Sequence, residues 1–246
     1  MKTFDHHANT GWVGETVHFQ SFADKLQLAE RLAEDVAALL RDGIAERGEA
    51  TLVVSGGSTP KPFFEALRKQ PDVDWSKLTV TLADDRWVDA PHTDSNEQLV
   101  KDCLLADGMR FVSLKSAHST PHEGVKEVEA RIAALPRPFD AVILGMGDDG
   151  HTASFFPGAP ELYDALNPKD GSALVAAITP PEYAPHLRMT LTLPALLAAK
   201  RIFLHITTGK KQEVYSKATN GGSVEEMPVR AILQQEKTPV DVYWAA

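Results

Sequence analysis

Apolar residues follow two alternating spacings along this chain. Between residues 21 and 47, Phe22, Leu26, Ala29, Leu32, Ala33, Val36, Leu39 and Leu40 recur every three or four positions, the spacing of one helix face. Ser21 followed three residues later by Asp24 resembles a capping box, and Gly48 stands where the helix is expected to end. The next segment, TLVVS (51–55), is short, β-branched and bounded by Gly56-Gly57, which predicts a strand buried on both faces. Pro60 suits the first turn of a helix reaching about Lys69. The same alternation continues. LTVTLA (78–83) predicts a strand, followed by a long polar loop, a helix near 96–106, a short strand near 110–113 and a helix near 122–135. AVILG (141–145), ALVAAI (173–178), RMTLTL (188–193), RIFLHIT (201–207) and PVDVYW (239–244) read as further strands, with helices at 194–200 and after Thr208. Strands alternating with helices imply βαβ units, hence an α/β chain: a three-layer α/β/α sandwich around a mostly parallel, Rossmann-like sheet. Pro- and Gly-rich stretches at 157–171 and 180–185 read as long loops around a site. With no repeat, low-complexity tract or linker, one domain over 1–246 is expected.

Composition narrows the function classes. The 246 residues carry 25 Lys+Arg against 34 Asp+Glu, a net charge of −9, so a general nucleic-acid surface is not expected. An anionic ligand must then be held by a local site rather than by the overall field. No run approaches the roughly 18 apolar residues of a membrane span, and MKTFDHHANTGW lacks the layout of a secretory signal. The single cysteine, Cys103, excludes an internal disulfide and suits a cytosolic, hence cytoplasmic, protein. It sits in an apolar helical stretch and reads as packing. Trp75, Trp87 and Trp244 read as strand-edge or core aromatics.

Ligands of open α/β sheets bind beyond the carboxyl ends of the strands, and polar loops fall there. In VVSGGSTPKP (53–62) a strand ends in Gly56-Gly57-Ser58-Thr59 before a helix. Glycines admit close backbone approach and a helix N-terminus offers free N–H groups, so the loop is either a phosphate cradle or an ordinary βα turn. It lacks the Gly-Lys-Ser/Thr ending of a Walker loop. LADDRWVDAPHTDSN (82–96) brings Asp84, Asp85 and Arg86 to a strand end. Arg86 could grip a phosphate or carboxylate, or belong to a surface ion cluster. AVILGMGDDGHTASFFPG (141–158) contains a literal GxGxxG in Gly145, Gly147 and Gly150. Asp148 and Asp149 would repel a pyrophosphate, Pro157 cuts the following helix short, and Asp170 falls in a loop, so a dinucleotide site is rejected. His151, after a carboxylate-rich turn, reads as a general base, with a structural imidazole as the alternative. HITTGKKQEVY (205–215) places Lys210 and Lys211 at a helix start, where a cation is locally unfavourable; this suggests an anionic ligand, with solvent-facing lysines as the alternative. His6-His7 and the His118/His122 pair lack metal-site character, and neither GxSxG nor HExxH occurs.

Taken together, VVSGGSTP, LADDRWVDAPHTDSN, FDAVILGMGDDGHTASFFPG, PHLRMTLTLPALL and PVRAIL resemble the 6-phosphogluconolactonases, in order and spacing, from about residue 50 onward. Family members often carry Asp-Glu-Arg where this chain has Asp84-Asp85-Arg86, and Leu at the position of Phe155. The resemblance implies a cytosolic enzyme of the oxidative pentose phosphate pathway that hydrolyses 6-phosphoglucono-δ-lactone. It implies no cofactor, no metal and a fold similar to the glucosamine-6-phosphate deaminases. By that likeness His151 is the catalytic base; Asp148 or Asp149 could orient its ring, and Asp149 is taken as its catalytic partner. Gly56, Gly57, Ser58, Thr59, Arg86, Arg188 and Lys211 would line the sugar-phosphate site, and Asp85 and Asp148 would orient groups or contact hydroxyls. A monomer acting on a small phosphorylated lactone is expected, without a nucleic-acid or membrane partner. The rivals are a deaminase or isomerase on the same scaffold and a non-catalytic sugar-phosphate sensor. The absence of a carboxylate between His151 and Pro157 favours the lactonase over the first. The chain's acidity, with too few residues before the first helix for a DNA-binding module, opposes the second.

Overall fold

The computed structural model describes residues 16–106 and 108–246, so His6-His7 lie outside the described residues. Ten strands are present among them: β1 (Val17–Phe22), β2 (Ala50–Val54), β3 (Leu78–Leu82), β4 (Asp84–Arg86), β5 (Arg110–Val112), β6 (Ala141–Leu144), β7 (Val175–Ile178), β8 (Arg188–Leu191), β9 (Ile202–Thr207) and β10 (Val240–Ala245). The α-helices are α1 (Lys25–Arg47), α2 (Lys61–Arg68), α3 (Asn96–Cys103), α4 (Pro121–Ala133), α5 (Leu162–Leu166), α6 (Leu193–Leu197), α7 (Gly209–Thr219) and α8 (Arg230–Leu233).

Seven strands form a sheet in the order β1-β10-β9-β6-β2-β3-β5, every neighbouring pair parallel. The inner strands β2, β3 and β6 are buried throughout, as expected when helices cover both faces. Strand alternation identifies the two layers. Phe19 of β1 stacks on Tyr215 of α7 at 5.1 Å, whereas Phe22 meets Tyr243, whose hydroxyl bonds Asp35 of α1. α1 and α7 therefore lie on opposite faces, giving the three-layer α/β/α sandwich. α1 buries Leu28, Leu32, Val36 and Leu40 completely, each worth roughly 1.5–3 kcal/mol. Gly48 ends it at φ 80° and returns its N–H to Ile44 O.

Five elements differ from the sequence reading. Ser21 does not cap α1; it belongs to β1, an unpredicted edge strand, and Asp24 caps instead by accepting the N–H groups of Leu26 and Gln27, both at 2.9 Å. The polar loop after residue 82 contains β4, which forms a small antiparallel sheet with β8 and β7. The stretch 157–171 holds the short helix α5, and α8 was also missed. The helix expected over 194–200 is the single turn α6, started by Thr192, whose side chain accepts Ala195 N–H.

Candidate active site

Strand order reverses between β2 and β6: the chain moves outward from β2 to β3 and β5, then returns to the other side of β2. Loops that leave adjacent strands in opposite directions open a crevice at their carboxyl ends. A cleft of about 340 Å³ lies there, lined from the β2 loop, the β6 loop, β9 and the small sheet. Ser55 Oγ donates to Ile143 O at 2.9 Å and ties the first two loops together. Gly56, Gly57, Ser58 and Thr59 line the cleft ahead of α2, whose first turn carries no acidic residue. Gly56 is required by contact, because a Cβ there would overlap the Asn96 side chain.

His151 enters from the β6 loop. That loop closes on itself: Gly147 N–H donates to His151 O at 2.8 Å and Gly150 N–H to Gly147 O at 3.1 Å. The imidazole lies so close over Gly147 that a Cβ would overlap Nδ1. Asp149 Oδ1 accepts both His151 backbone N–H (3.0 Å) and Nδ1–H (2.6 Å), while Tyr183 donates its hydroxyl to Oδ2 at 2.5 Å. An ionised carboxylate only accepts, so a ring proton sits on Nδ1, and in the neutral imidazole the lone pair is on Nε2. Burial alone would raise the Asp149 carboxyl. The hydrogen bond and charge of His151, with the Tyr183 hydroxyl, outweigh it and hold the group well below the usual carboxylate range. The Tyr183 phenol is pushed up to about 12, by desolvation first and then by Asp149. Phe156 supports the far side of the imidazole, ring to ring at 4.4 Å, and carries the Arg188 guanidinium 5.3 Å from its centroid.

The small sheet concentrates positive charge. β4 and β8 pair Arg86 directly with Arg188, and like charges in that relation repel. Both line the cleft. Arg86 Nη1 donates to Asp94 O (3.1 Å) and Asn96 Oδ1 (2.8 Å); Arg188 donates to the carbonyls of His186 and Pro185. Near them lies Asp84, whose Oδ2 is 3.9 Å from Arg188 Nη1 and accepts Ser154 Oγ–H at 2.6 Å. Burial, reinforced by Arg86, lowers Arg188 from the usual arginine value against the pull of Asp84. Two guanidiniums that both line the cleft suit an incoming anion, with Asp84, Asp85 and Asp94 offsetting part of the charge.

The remaining expected residues fall outside the cleft lining or at its rim. Asp85 is buried beneath, where its oxygens accept the N–H groups of Arg86, Asn96 and Glu97 at 2.8, 2.8 and 3.1 Å and so cap α3. Burial pushes its carboxyl up to about 7 despite those bonds. Asp85, expected to orient groups or contact a hydroxyl, is thus not among the cleft-lining residues, whereas its neighbour Asp84 is. Asp148 sits at the surface and pairs with Lys210 and with Lys211 (2.6 Å), which hold it below its ordinary range. Lys211 lines the cleft from the first turn of α7. Asp84, Asn96, Phe156 and Tyr183 went unassigned. Reading DDR as a strand would have separated Asp84 from Asp85, because neighbours on a strand face opposite ways.

Among the described residues one cluster has metal-ligating atoms within 4.8 Å of one another, His92, Asp94 and His186. It is satisfied internally: His92 Nδ1 accepts Asp94 N–H at 3.0 Å, and His186 Nε2 bonds Asp94 Oδ2 at 2.8 Å. His118 and His122 pair separately with Glu127 and Glu161.

Comparison with known proteins agrees with this geometry. Residues 23–244 match the family model described as glucosamine-6-phosphate isomerases/6-phosphogluconolactonase. A 6-phosphogluconolactonase of Rhizobium meliloti (strain 1021) is 45% identical over 227 residues, covering 91% of this chain and 97% of the relative. One of Pseudomonas aeruginosa is 40% identical over 231 residues, covering 93% and 94%. The crystal structure of a 6-phosphogluconolactonase from Shewanella baltica OS155 superposes with a TM-score of 0.91 at 44% identity, covering 96% of this chain and all (100%) of that one. With an imidazole bonded to a carboxylate and a cationic cleft at the strand ends, and with matches running nearly end to end, the chain belongs to the glucosamine-6-phosphate isomerase/6-phosphogluconolactonase family.

Proposed function

We infer that this protein is an enzyme that hydrolyses 6-phosphoglucono-δ-lactone to 6-phosphogluconate, the lactone-opening step of the oxidative pentose phosphate pathway. The observation that carries the mechanism is the His151–Asp149 bond of 2.6 Å at the edge of a cleft lined by two arginines and a lysine. Nε2 of His151 takes a proton from water as its oxygen attacks the lactone carbonyl. The new C–O bond turns the carbonyl into an oxyanion, which the loop N–H groups and the Arg86–Arg188 pair stabilise. As the intermediate collapses, the ring C–O bond breaks and the imidazolium returns its proton to the departing ring oxygen, leaving a hydroxyl and a carboxylic acid, which gives its proton to solvent and becomes the carboxylate. Asp149 keeps the imidazole in the competent tautomer and offsets its transient charge. The Gly56–Thr59 loop and Lys211 hold the phosphate, which fixes the carbonyl against the base. No covalent enzyme intermediate and no cofactor enters this scheme. The reading also proposes one domain acting as a cytoplasmic monomer; no helix among the described residues is long and apolar enough to cross a membrane.

The test is lactone hydrolysis. 6-Phosphoglucono-δ-lactone is generated in situ from glucose 6-phosphate, and its loss is followed with wild-type protein, with His151→Ala and without protein. Rapid loss with wild type alone is expected, since a positioned base contributes about 10²–10⁴-fold. Equal rates in all three samples would overturn the assignment, and near-normal turnover by His151→Ala would overturn the role of His151.

A further inference from the structure

One contact between two loops joins the supports of both cleft arginines. Strands β4 and β8 set Arg86 directly against Arg188, and the ladder runs one step further, with Trp87 N–H donating to Leu187 O at 2.7 Å. Residues 87–95 then lead away from β4, and residues 179–187 lead into β8. The two loops meet again where His186 Nε2 bonds Asp94 Oδ2 at 2.8 Å, between residues 92 positions apart. Each partner also presents its backbone carbonyl to one guanidinium. Asp94 O accepts from Arg86 Nη1 at 3.1 Å, and His186 O accepts from Arg188 Nε at 3.3 Å. A continuous path therefore runs from Arg86 through Asp94 and His186 to Arg188, linking two like charges that repel across the strands.

The backbone and the neighbours of this pair mark it as a built contact. His186 is held at φ 70°, a left-handed conformation that costs a side-chain-bearing residue energy and persists only where its surroundings fix it. His92 braces the pair from outside: its Nδ1 accepts Asp94 N–H at 3.0 Å, and its ring stands edge-on to that of His186 at 5.2 Å. The His186 hydrogen bond foremost, then the charges of His92, His186 and Arg86, hold the Asp94 carboxyl below its ordinary range against desolvation. An ionised carboxylate only accepts, so His186 Nε2 carries the shared proton. Asp94 thus gives its carboxylate to His186 and its carbonyl to Arg86. Both residues lie outside the cleft lining.

We propose that Asp94 and His186 are positioning residues for lactone opening: their bond clamps the two loops so that the Arg86 and Arg188 guanidiniums keep the separation and aim needed to meet one developing oxyanion together. Neither clamp residue touches substrate; each acts through the arginine its carbonyl holds. The clamp is partial by construction, since Arg86 keeps its bond to Asn96 Oδ1 and Arg188 its bond to Pro185 O when the pair is broken. The proposal rests on the lactonase reading, in which the two arginines stabilise the oxyanion.

The experiment compares wild type with two variants that break the clamp, His186→Leu and Asp94→Ala, and two that keep a hydrogen bond, His186→Gln and Asp94→Asn. His118→Gln, from the exposed His118–Glu127 pair, is the control. Leu and Gln meet the left-handed backbone at residue 186 on equal terms, so their difference reads the side-chain bond. An oxyanion contact acts in the transition state, so each breaking variant should lose about tenfold in kcat with KM within about twofold. That is less than the roughly 10²–10³-fold loss of an oxyanion donor, because both guanidiniums remain. The Gln and Asn variants should recover most of the loss, His118→Gln should match wild type, and His186→Leu/Asp94→Ala should be no worse than either single variant, since both remove one bond. Side-chain NMR reads the clamp without substrate: solvent exchange of Arg188 Nε–H, assigned with Arg188→Lys, should be about tenfold faster in the breaking variants than in wild type. Wild-type kcat in either folded breaking variant, a loss confined to KM, or losses that multiply in the double variant would overturn the clamp and leave the lactonase intact. If wild type fails to open the lactone, the lactonase reading falls. Arg188 exchange then still decides the clamp: faster exchange supports it and unchanged exchange overturns it.

Discussion

Replacing Asp149 by Asn separates two tasks that one carboxylate performs. Oδ1 accepts two N–H groups of His151, and Oδ2 accepts the Tyr183 hydroxyl. An amide can satisfy the same geometry if its oxygen faces His151 and its NH₂ donates to the Tyr183 oxygen. The imidazole tautomer is then preserved, and only the negative charge is lost. A hydrogen bond to a charged group is worth about 1.5–3 kcal/mol against about 0.5–1.5 for a neutral one. The difference, about 1–2 kcal/mol, acts where positive charge develops on the imidazole. Asp149→Asn should therefore lower kcat by about 5–30-fold with little change in KM. That is much less than the loss in His151→Ala. Tyr183→Phe alone should cost little, but added to Asp149→Asn it frees the amide to turn its NH₂ toward Nδ1 and move the ring proton to Nε2. The double variant should then fall well below the product of the single effects. Hydrolysis of lactone generated in situ, corrected for spontaneous opening, measures all four enzymes. Wild-type kcat in Asp149→Asn, or additivity with Tyr183→Phe, would refute this account of the pair.

Other outcomes follow from neighbouring contacts. Gly147→Ala places a methyl group against His151 Nδ1 and Asp149 Oδ1; it should abolish most turnover and lower stability by about 1–3 kcal/mol, read by denaturant unfolding. Lys211→Gln should raise KM, whereas Asp148→Asn, which releases Lys210 and Lys211 from their carboxylate, should lower it; the same sign in both would contradict competition between Asp148 and the phosphate. The depressed carboxyl of Asp149 contributes stability that is full above its unfolded value near 3.8 and drains as pH falls further, so Asp149→Asn should flatten the acid limb of a stability curve. Asp85 has the opposite sign: its carboxyl, raised to about 7, contributes most below pH 3.8 and loses that contribution as pH climbs through 7, a decline absent in Asp85→Asn.

Elements with a continuous apolar run or a helical stripe were legible, because burial on both faces of a parallel sheet leaves that mark at β2, β3, β6 and β9. β1 was not, since His18, Gln20 and Ser21 interrupt its apolar positions at a half-covered edge. β4 reads as charged loop; its strand form depends on pairing with β8, far along the chain. The site followed the same division. His151, the Gly56–Thr59 loop and Lys211 were legible because each follows a strand that could be located. Phe156, Asn96 and Tyr183 act through contacts between layers that no local spacing encodes.

The placement of β10 between β1 and β9 also sets an order of assembly. During synthesis β1 emerges early, yet its partner in the sheet is made only in the last residues, so its pairing must wait for nearly the whole chain. The same late strand fastens the loop that opens α7: Thr208 N–H donates to Ala245 O at 2.8 Å and Trp244 Nε1–H to Thr208 O at 2.9 Å. Thr208 is held there at φ 85°, a backbone conformation costly for a β-branched residue and sustained by those two bonds. Lys211 follows three residues on. A nascent chain can thus form its central strands, and even the His151 loop, while the corner that carries Lys211 is still slack. The wall of the cleft that Lys211 supplies is fastened only when β10 pairs.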